Sequence, residues 1–183
     1  MPAIYTILMF TIHRAELAEL EFLRAFAEQT FRDTYEDQND PQPFHDYCAE
    51  AFGLEQIRAE FAHPHSEYYF AGHSALRVAY LKFNFDRHPS EIGSQRTLQV
   101  QRIYIDPAYQ GQGLGRRLLH FAHQRAAEAG LEWVWLSVWK KVPATVTFYE
   151  RCGFEICGEE VFPLANELQE DWLMRRRVMM NDR

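Results

Sequence analysis

A strand-like run from Leu98 to Ile105 stops at Asp106-Pro107 and gives way, within three residues of that proline, to QGQGLG (residues 110–115) and then to an amphipathic helical pattern. No other segment restricts the fold as much. Glycines let a backbone come close to a ligand, and the first amides of a helix point outward unpaired, so strand, glycine loop and helix start make an anion cradle suited to a pyrophosphate. Arg116 and Arg117 follow in the first helical turn, where the helix dipole disfavours cations. A bound polyanion would outweigh that dipole; two solvated arginines behind a glycine turn are the plainer alternative. There is no Gly-x-Gly-x-x-Gly opening with an acid about 20 residues on, which a Rossmann ribose contact needs, and no Gly-Lys-Ser/Thr ending of a P-loop.

The pattern on either side predicts an α/β domain with a mixed sheet. An apolar run, Ile4 to Ile12, reads as a first strand; it lacks the basic start and small-residue cleavage site of a signal peptide. Helical spacing covers 13–35 (Leu17, Leu20, Phe22, Leu23, Phe26, Ala27, Phe31), and a second helical stretch, 43–62, breaks near Gly53. Strands are expected at 66–71, 75–85 and 96–105, a helix at 114–130 ended by Gly130, and a solidly apolar strand from Trp133 to Trp139. A short helix from Pro143 to Arg151 follows, then strands near 154–161 and 171–179. No repeat or linker divides the 183 residues, so one domain over 1–183 is expected.

The net charge of −7 argues against nucleic acid. No stretch reaches the roughly 20 apolar residues of a membrane span. Cys48, Cys152 and Cys157 form neither a CxxC pair nor a metal spacing, which points to reduced thiols and a cytoplasmic protein. His63, His65, His120 and His123 lack a third partner at ligand spacing, so no metal is expected.

The hexad QGQGLG resembles the Q/R-x-x-G-x-G/A signature of the GNAT superfamily of N-acetyltransferases. TFYERCGF (147–154) is similar to that family's F-Y-x-x-x-G-F segment and stands one helix and one strand downstream. More narrowly, TFRDTYEDQN (30–39), AYLKFN (79–84), RIYIDPAYQGQGLG (102–115) and WVWLSVWKK (133–141) resemble PaiA-type bacterial spermidine/spermine acetyltransferases. The resemblance implies a GNAT-like, mostly antiparallel central sheet flanked by helices, with acetyl-CoA as co-substrate. It places the pantetheine arm along the backbone of Ile103, Tyr104 and Ile105, with the Ile103 amide polarising the thioester carbonyl. The pyrophosphate would lie on Gln110, Gly111, Gln112, Gly113, Leu114, Gly115 and Arg116.

By the same resemblance Tyr149 is the general acid for the leaving thiolate; a phenol near pKa 10 stays protonated at neutral pH and can donate to a thiolate. Taken by itself it is an ordinary helix tyrosine. An attacking amine near pKa 10.4 is neutral only about once in 2,500 molecules at pH 7, so its proton must go somewhere. Many relatives carry a strand glutamate for this, but here Gln99 and Gln101 stand in its place, leaving a water relay or an acid from elsewhere. Val142 replaces an asparagine that often contacts the cofactor. Residues 15–60 hold twelve acids against three bases, a charge of −9, while the rest of the chain is +2. In the family this segment walls the acceptor side, so an acidic wall drawing in a polyamine or other small cationic amine is expected, with Asp33, Tyr35 and Glu36 singled out. A solvated helical face is the alternative for these acids. A protein N-terminus, an amino acid or a drug amine as acceptor, a catalytically silent acetyl-CoA sensor, and assembly as a homodimer all stay open.

Overall fold

The computed structural model describes residues 10–164 and 167–179. In chain order these give β1 (Thr11–Arg14), α1 (Leu20–Tyr35), α2 (Pro41–Ala51), α3 (Leu54–Ala62), β2 (Ser66–His73), β3 (Leu76–Asn84), β4 (Thr97–Ile105), α4 (Leu114–Glu128), β5 (Trp133–Trp139), α5 (Pro143–Arg151), β6 (Glu155–Leu164) and β7 (Glu167–Arg177). The strands form one seven-stranded sheet in the order β1-β2-β3-β4-β5-β7-β6. Every pairing is antiparallel except β4 with β5. This is the single-domain, mostly antiparallel α/β architecture that the sequence predicts.

Strand alternation sends side chains to two different cores. Ala79, Leu81 and Phe83 of β3 join α4 and α5 on one face, while Tyr80 and Phe70 join α1, α2 and α3 on the other. α1 buries Leu20, Leu23, Ala27, Thr30 and Phe31 at helical spacing. It ends where Asn39 Nδ2 caps the Tyr35 carbonyl at 2.7 Å. Pro41 opens α2 at its first position, where no amide partner is lost.

Three boundaries differ from expectation. The first helix starts at Leu20, after a tight turn at Leu17–Glu19 in which Glu16 and Glu19 cap each other. Residues 11–14 ahead of it pair with β2 as an edge strand. The expected strand from Ile4 falls largely outside the described residues. The final hairpin runs longer than 154–161 and 171–179: Glu155–Leu164 pairs with Glu167–Arg177. Pro163 and a polar outer face obscured this. Both are tolerated because β6 is an edge strand, where a missing N–H can face solvent.

The feature that positions the site is the short seam between β4 and β5. They pair only through Thr97–Gln99 and Trp133–Trp135, then diverge. On its other side β4 carries a bulge: Arg102 opposes Lys82 and Val100 opposes Phe83, leaving Gln101 extra. A bulge bends its strand and sharpens the twist, and here it turns the end of β4 away from β5.

Candidate active site

The divergence of β4 and β5 opens a cavity of about 690 Å³. One wall is the free edge of β4. The Asp106 amide donates to the Val78 carbonyl on β3 at 2.8 Å, and the Ile105 carbonyl accepts from Gln110 Nε2 at 3.1 Å on the opposite side. Because strand amides alternate direction, Ile103 and Ile105 present their backbone groups to the cavity, as a ladder with no neighbouring strand.

The three glycines of the following loop serve two different purposes. Gly111 and Gly113 have φ of +73° and +79°, a region costly for residues with a Cβ, and a Cβ on either would meet nothing within 4 Å. Gly113 is the residue before α4, so the helix's first amides open onto that free space. Gly115 is a packing glycine: a Cβ there would stand 3.0 Å from Phe148 Cζ. Of the two arginines only Arg116 lines the cavity; Arg117 donates to the Phe10 carbonyl at 2.9 Å and anchors the chain ahead of β1. On the far side of Arg116 lies a groove of about 730 Å³ lined by Arg116, Arg117, Arg151 and Arg176. Among the described residues none of these four has a carboxylate partner in an ion pair.

Tyr149 enters from α5. It is 8% exposed, lines the cavity and packs between Phe148 and Phe154. Burial first, then the nearby Tyr35 hydroxyl and Cys152 thiol, hold its pKa above the usual phenol range, so it carries its proton at neutral pH.

The opposite half of the cavity is aromatic, lined by Phe31, Tyr35, Tyr47, Phe52, Tyr104 and Trp139. Tyr35 sits at its centre. Its ring lies 6.3 Å from Trp139 and 6.5 Å from Tyr104. Burial raises the Tyr35 pKa, and the Asp171 carboxylate adds to that. Behind the aromatic wall Glu60 holds two cations: Lys82 Nζ at 2.7 Å and Arg102 Nη1 at 2.8 Å, with the Tyr68 hydroxyl donating to the same carboxylate. Burial works to raise the Glu60 pKa, but Arg102 and Lys82 outweigh it and bring it to about 2. Lys82 is lowered to about 8 by burial and by Arg102, against the pull of Glu60.

A family model described as the acetyltransferase (GNAT) family matches residues 20–154. The chain belongs to this family. As a GNAT N-acetyltransferase it is 29% identical over 159 residues to an uncharacterised N-acetyltransferase in the pepI 3′ region of Lactobacillus delbrueckii subsp. lactis, covering 87% of this chain and 91% of that one. Two solved structures share the fold. The PaiA N-acetyltransferase of Thermoplasma acidophilum in complex with coenzyme A aligns with a TM-score of 0.68 at 16% identity, covering 92% of this chain and 98% of that one. The spermidine N-acetyltransferase of Vibrio cholerae in complex with CoA and spermine aligns with a TM-score of 0.67 at 20% identity, covering 92% and 95%.

The acetyltransferase brings together most, but not all, of the residues expected from its sequence. Ile103, Tyr104, Ile105, Gln110, Gly111, Gly113, Leu114, Gly115, Arg116, Tyr149 and Tyr35 line one cavity. Gln112 points away, donating to the Ala108 carbonyl at 3.4 Å. Asp33 and Glu36 are not in the lining either. Asp33 accepts from Gln29 Nε2 at 2.7 Å and Glu36 pairs with Arg32 at 2.9 Å, both on the exposed side of α1. The expected acidic wall is therefore not in the lining: its acids are solvated, tied to neighbours on their own helix, paired with another element as Glu19 is with Arg77 on β3 at 2.8 Å, or, as with Glu60, neutralised beneath the aromatic wall. Gln99 and Gln101 both accept from Asn84 Nδ2, at 2.8 and 3.0 Å, in an amide network that is buried at Gln99 and reaches the cavity lining at Gln101. Val142 packs against the core under α5.

Asp171, on β7, is the one carboxylate among the described residues lining the cavity, and it was not expected. It stands in a cross-strand row with Trp139 on β5 and Glu160 on β6. Burial first, then Glu160, push its pKa up to about 7, against Lys140. No local pattern marks it; its neighbours Glu170 and Trp172 are ordinary hairpin residues. Among the described residues no three His, Cys, Asp or Glu side chains come together as a metal site. Among them, too, no helix is long and apolar enough to cross a membrane.

Proposed function

We propose that this N-acetyltransferase binds acetyl-CoA in the gap between β4 and β5 and passes the acetyl group to a small primary alkyl amine, polyamines included, seated in the aromatic half of the cavity. The carrying observation is that one continuous cavity joins the glycine loop, the free edge of β4, Tyr149, Tyr35 and Asp171. The residues suit coenzyme A. The open space over Gly111 and Gly113 and the first amides of α4 would hold the pyrophosphate, the Ile103 and Ile105 backbone would pair with the pantetheine amides, and Arg151 and Arg176, in no ion pair among the described residues, would receive the 3′-phosphate. The co-substrate supplies an activated acetyl thioester. The chain's part is to orient it, to polarise its carbonyl with the Ile103 amide and to hold a proton on Tyr149.

Support for the polyamine class comes from one of the two structural neighbours, a spermidine N-acetyltransferase in complex with CoA and spermine. The geometry adds a limit: with Asp171 as the one carboxylate lining the cavity among the described residues, extra ammonium groups gain little. Spermidine is expected to exceed a singly charged alkyl amine of similar length by less than about tenfold in kcat/KM, roughly 1.4 kcal/mol.

Thiol release from acetyl-CoA across a panel of spermidine, spermine, a simple alkyl amine and a peptide with a free N-terminus tests the acceptor. Turnover confined to the peptide, or absent from the whole panel, defeats the reading. The cradle is tested by heat. Acetyl-CoA at 100 times its Kd should add about 2.7 kcal/mol, raising Tm by about 5–10 °C. Gly113→Asp, which puts a carboxylate in the open space over the loop, should abolish that rise.

A further inference from the structure

We propose that Asp171 is the base of this acetyltransferase: its carboxylate binds the acceptor's ammonium group in the cavity and takes one of its protons before attack. The proposal rests on the acetyl-transfer reading and supplies the base that Gln99 and Gln101 cannot provide.

The geometry carries it. Asp171 is 8% exposed, its remaining surface lies in the cavity wall, and among the described residues none donates a hydrogen bond to it. A nearly buried carboxylate without a donor is costly; a cationic group entering the cavity provides the partner it lacks. The surrounding elements are arranged to keep it a competent base. Trp139 flanks it from β5, with Lys140 next in the chain; Glu160 faces it from β6; the Tyr35 hydroxyl approaches from α1; Gln169 shares its face of β7. Lys140 is itself engaged by Glu159 at 2.7 Å and Glu170 at 3.5 Å, so Glu160 and burial prevail. The resulting pKa of about 7, against an ordinary 3.8, makes the group a far stronger proton acceptor while leaving a large fraction ionised at neutral pH.

The proton accounting closes. The ammonium gives one proton to Asp171, which later returns it to solvent. The neutral nitrogen attacks the acetyl carbonyl carbon, forming C–N, and the C–S bond breaks. The thiolate takes the Tyr149 proton, and the second nitrogen proton restores Tyr149. One acetamide, one free thiol and one released proton result.

Asp171→Asn keeps the shape and removes the base. Wild-type turnover on a simple alkyl amine comes first; without it, both the acetyl-transfer reading and this proposal fall. With acetyl-CoA saturating, the variant should lose about 10²-fold or more in kcat for that amine. It should also lose the wild-type rise in kcat/KM for the amine centred near pH 7, while acetyl-CoA still raises its Tm as in wild type. The decisive comparison uses an amine fluorinated beside the carbon bearing nitrogen, already neutral at pH 8. No proton need be removed from it before attack, so the defect should shrink at least tenfold. An equal defect with both amines, or a raised KM with kcat retained, overturns the proposal and makes Asp171 a contact for positive charge. Should the variant not fold, the wild-type profile decides: kcat/KM for the alkyl amine that shows no limb near pH 7 overturns it as well.

Discussion

The two halves of the cavity are built on opposite plans. The half formed by β4, the glycine loop and the start of α4 presents backbone: amides of Ile103 and Ile105, two glycines at positive φ, and a helix start. Its residues are nearly consecutive. The other half presents side chains drawn from α1, α2, β5 and β7, which meet only through tertiary packing. On the proposed reading, backbone groups would recognise what every acetyl-CoA molecule shares and would change little with side-chain substitution. Side chains from scattered elements are free to vary one at a time. A family that keeps its donor and changes its acceptor needs both plans in one cleft.

The sharpest way to break this contrast is the single side chain that the donor half depends on. Tyr149→Phe should cost 10²- to 10⁴-fold in turnover, roughly 3–5 kcal/mol of barrier, with the Tm rise from acetyl-CoA retained. Turnover within about twofold of wild type, measured where chemistry is rate-limiting, would show that the thiolate leaves unaided. The next largest effect lies beneath the acceptor half. Glu60→Gln leaves Lys82 and Arg102 facing each other without their carboxylate. Losing the partner of buried charges costs about 3–5 kcal/mol, here near the lower end because Lys82, already lowered to about 8, can shed its proton. The pH dependence has a definite sign. The Glu60 pKa is depressed from 4.5 to about 2, so its contribution of about 3 kcal/mol is complete above 4.5 and disappears as pH falls through 2. Wild type should lose stability over that window in acid denaturation, and Glu60→Gln should lose correspondingly less. The smallest effect is the most informative about the acidic segment. Asp33→Asn combined with Glu36→Gln should leave KM for spermidine within about twofold and stability within about 0.5 kcal/mol, since both acids are exposed helix partners. A tenfold rise in KM would return the acceptor to that face of α1.

These differences also explain what could be read from the chain. The donor half was legible because strand end, glycines and helix start lie within one short segment and each has a local signature. The helical phase of α1 held a further clue that charge composition hid. Taking Phe31 as the buried position, Tyr35 lies four residues on, on the same face, whereas Asp33 at two residues is on the opposite side and Glu36 at five is well off it. Phase selects Tyr35 and rejects the two acids, as the structure does. Asp171 was beyond such reading. Its placement depends on β7 inserting between β5 and β6, and on a register that sets it beside Trp139. One residue of slip would turn it to the other face.

The three-pair seam between β4 and β5 makes the sheet two wings, β1–β4 and β5–β7, joined by about 10 Å of ladder and braced underneath by α4. A thioester arm lying along the free edge of β4 would act as a clasp across the wings. Donor entry and amide protection on both sides of the cleft then become one equilibrium, and the substrate completes the sheet that the chain leaves open.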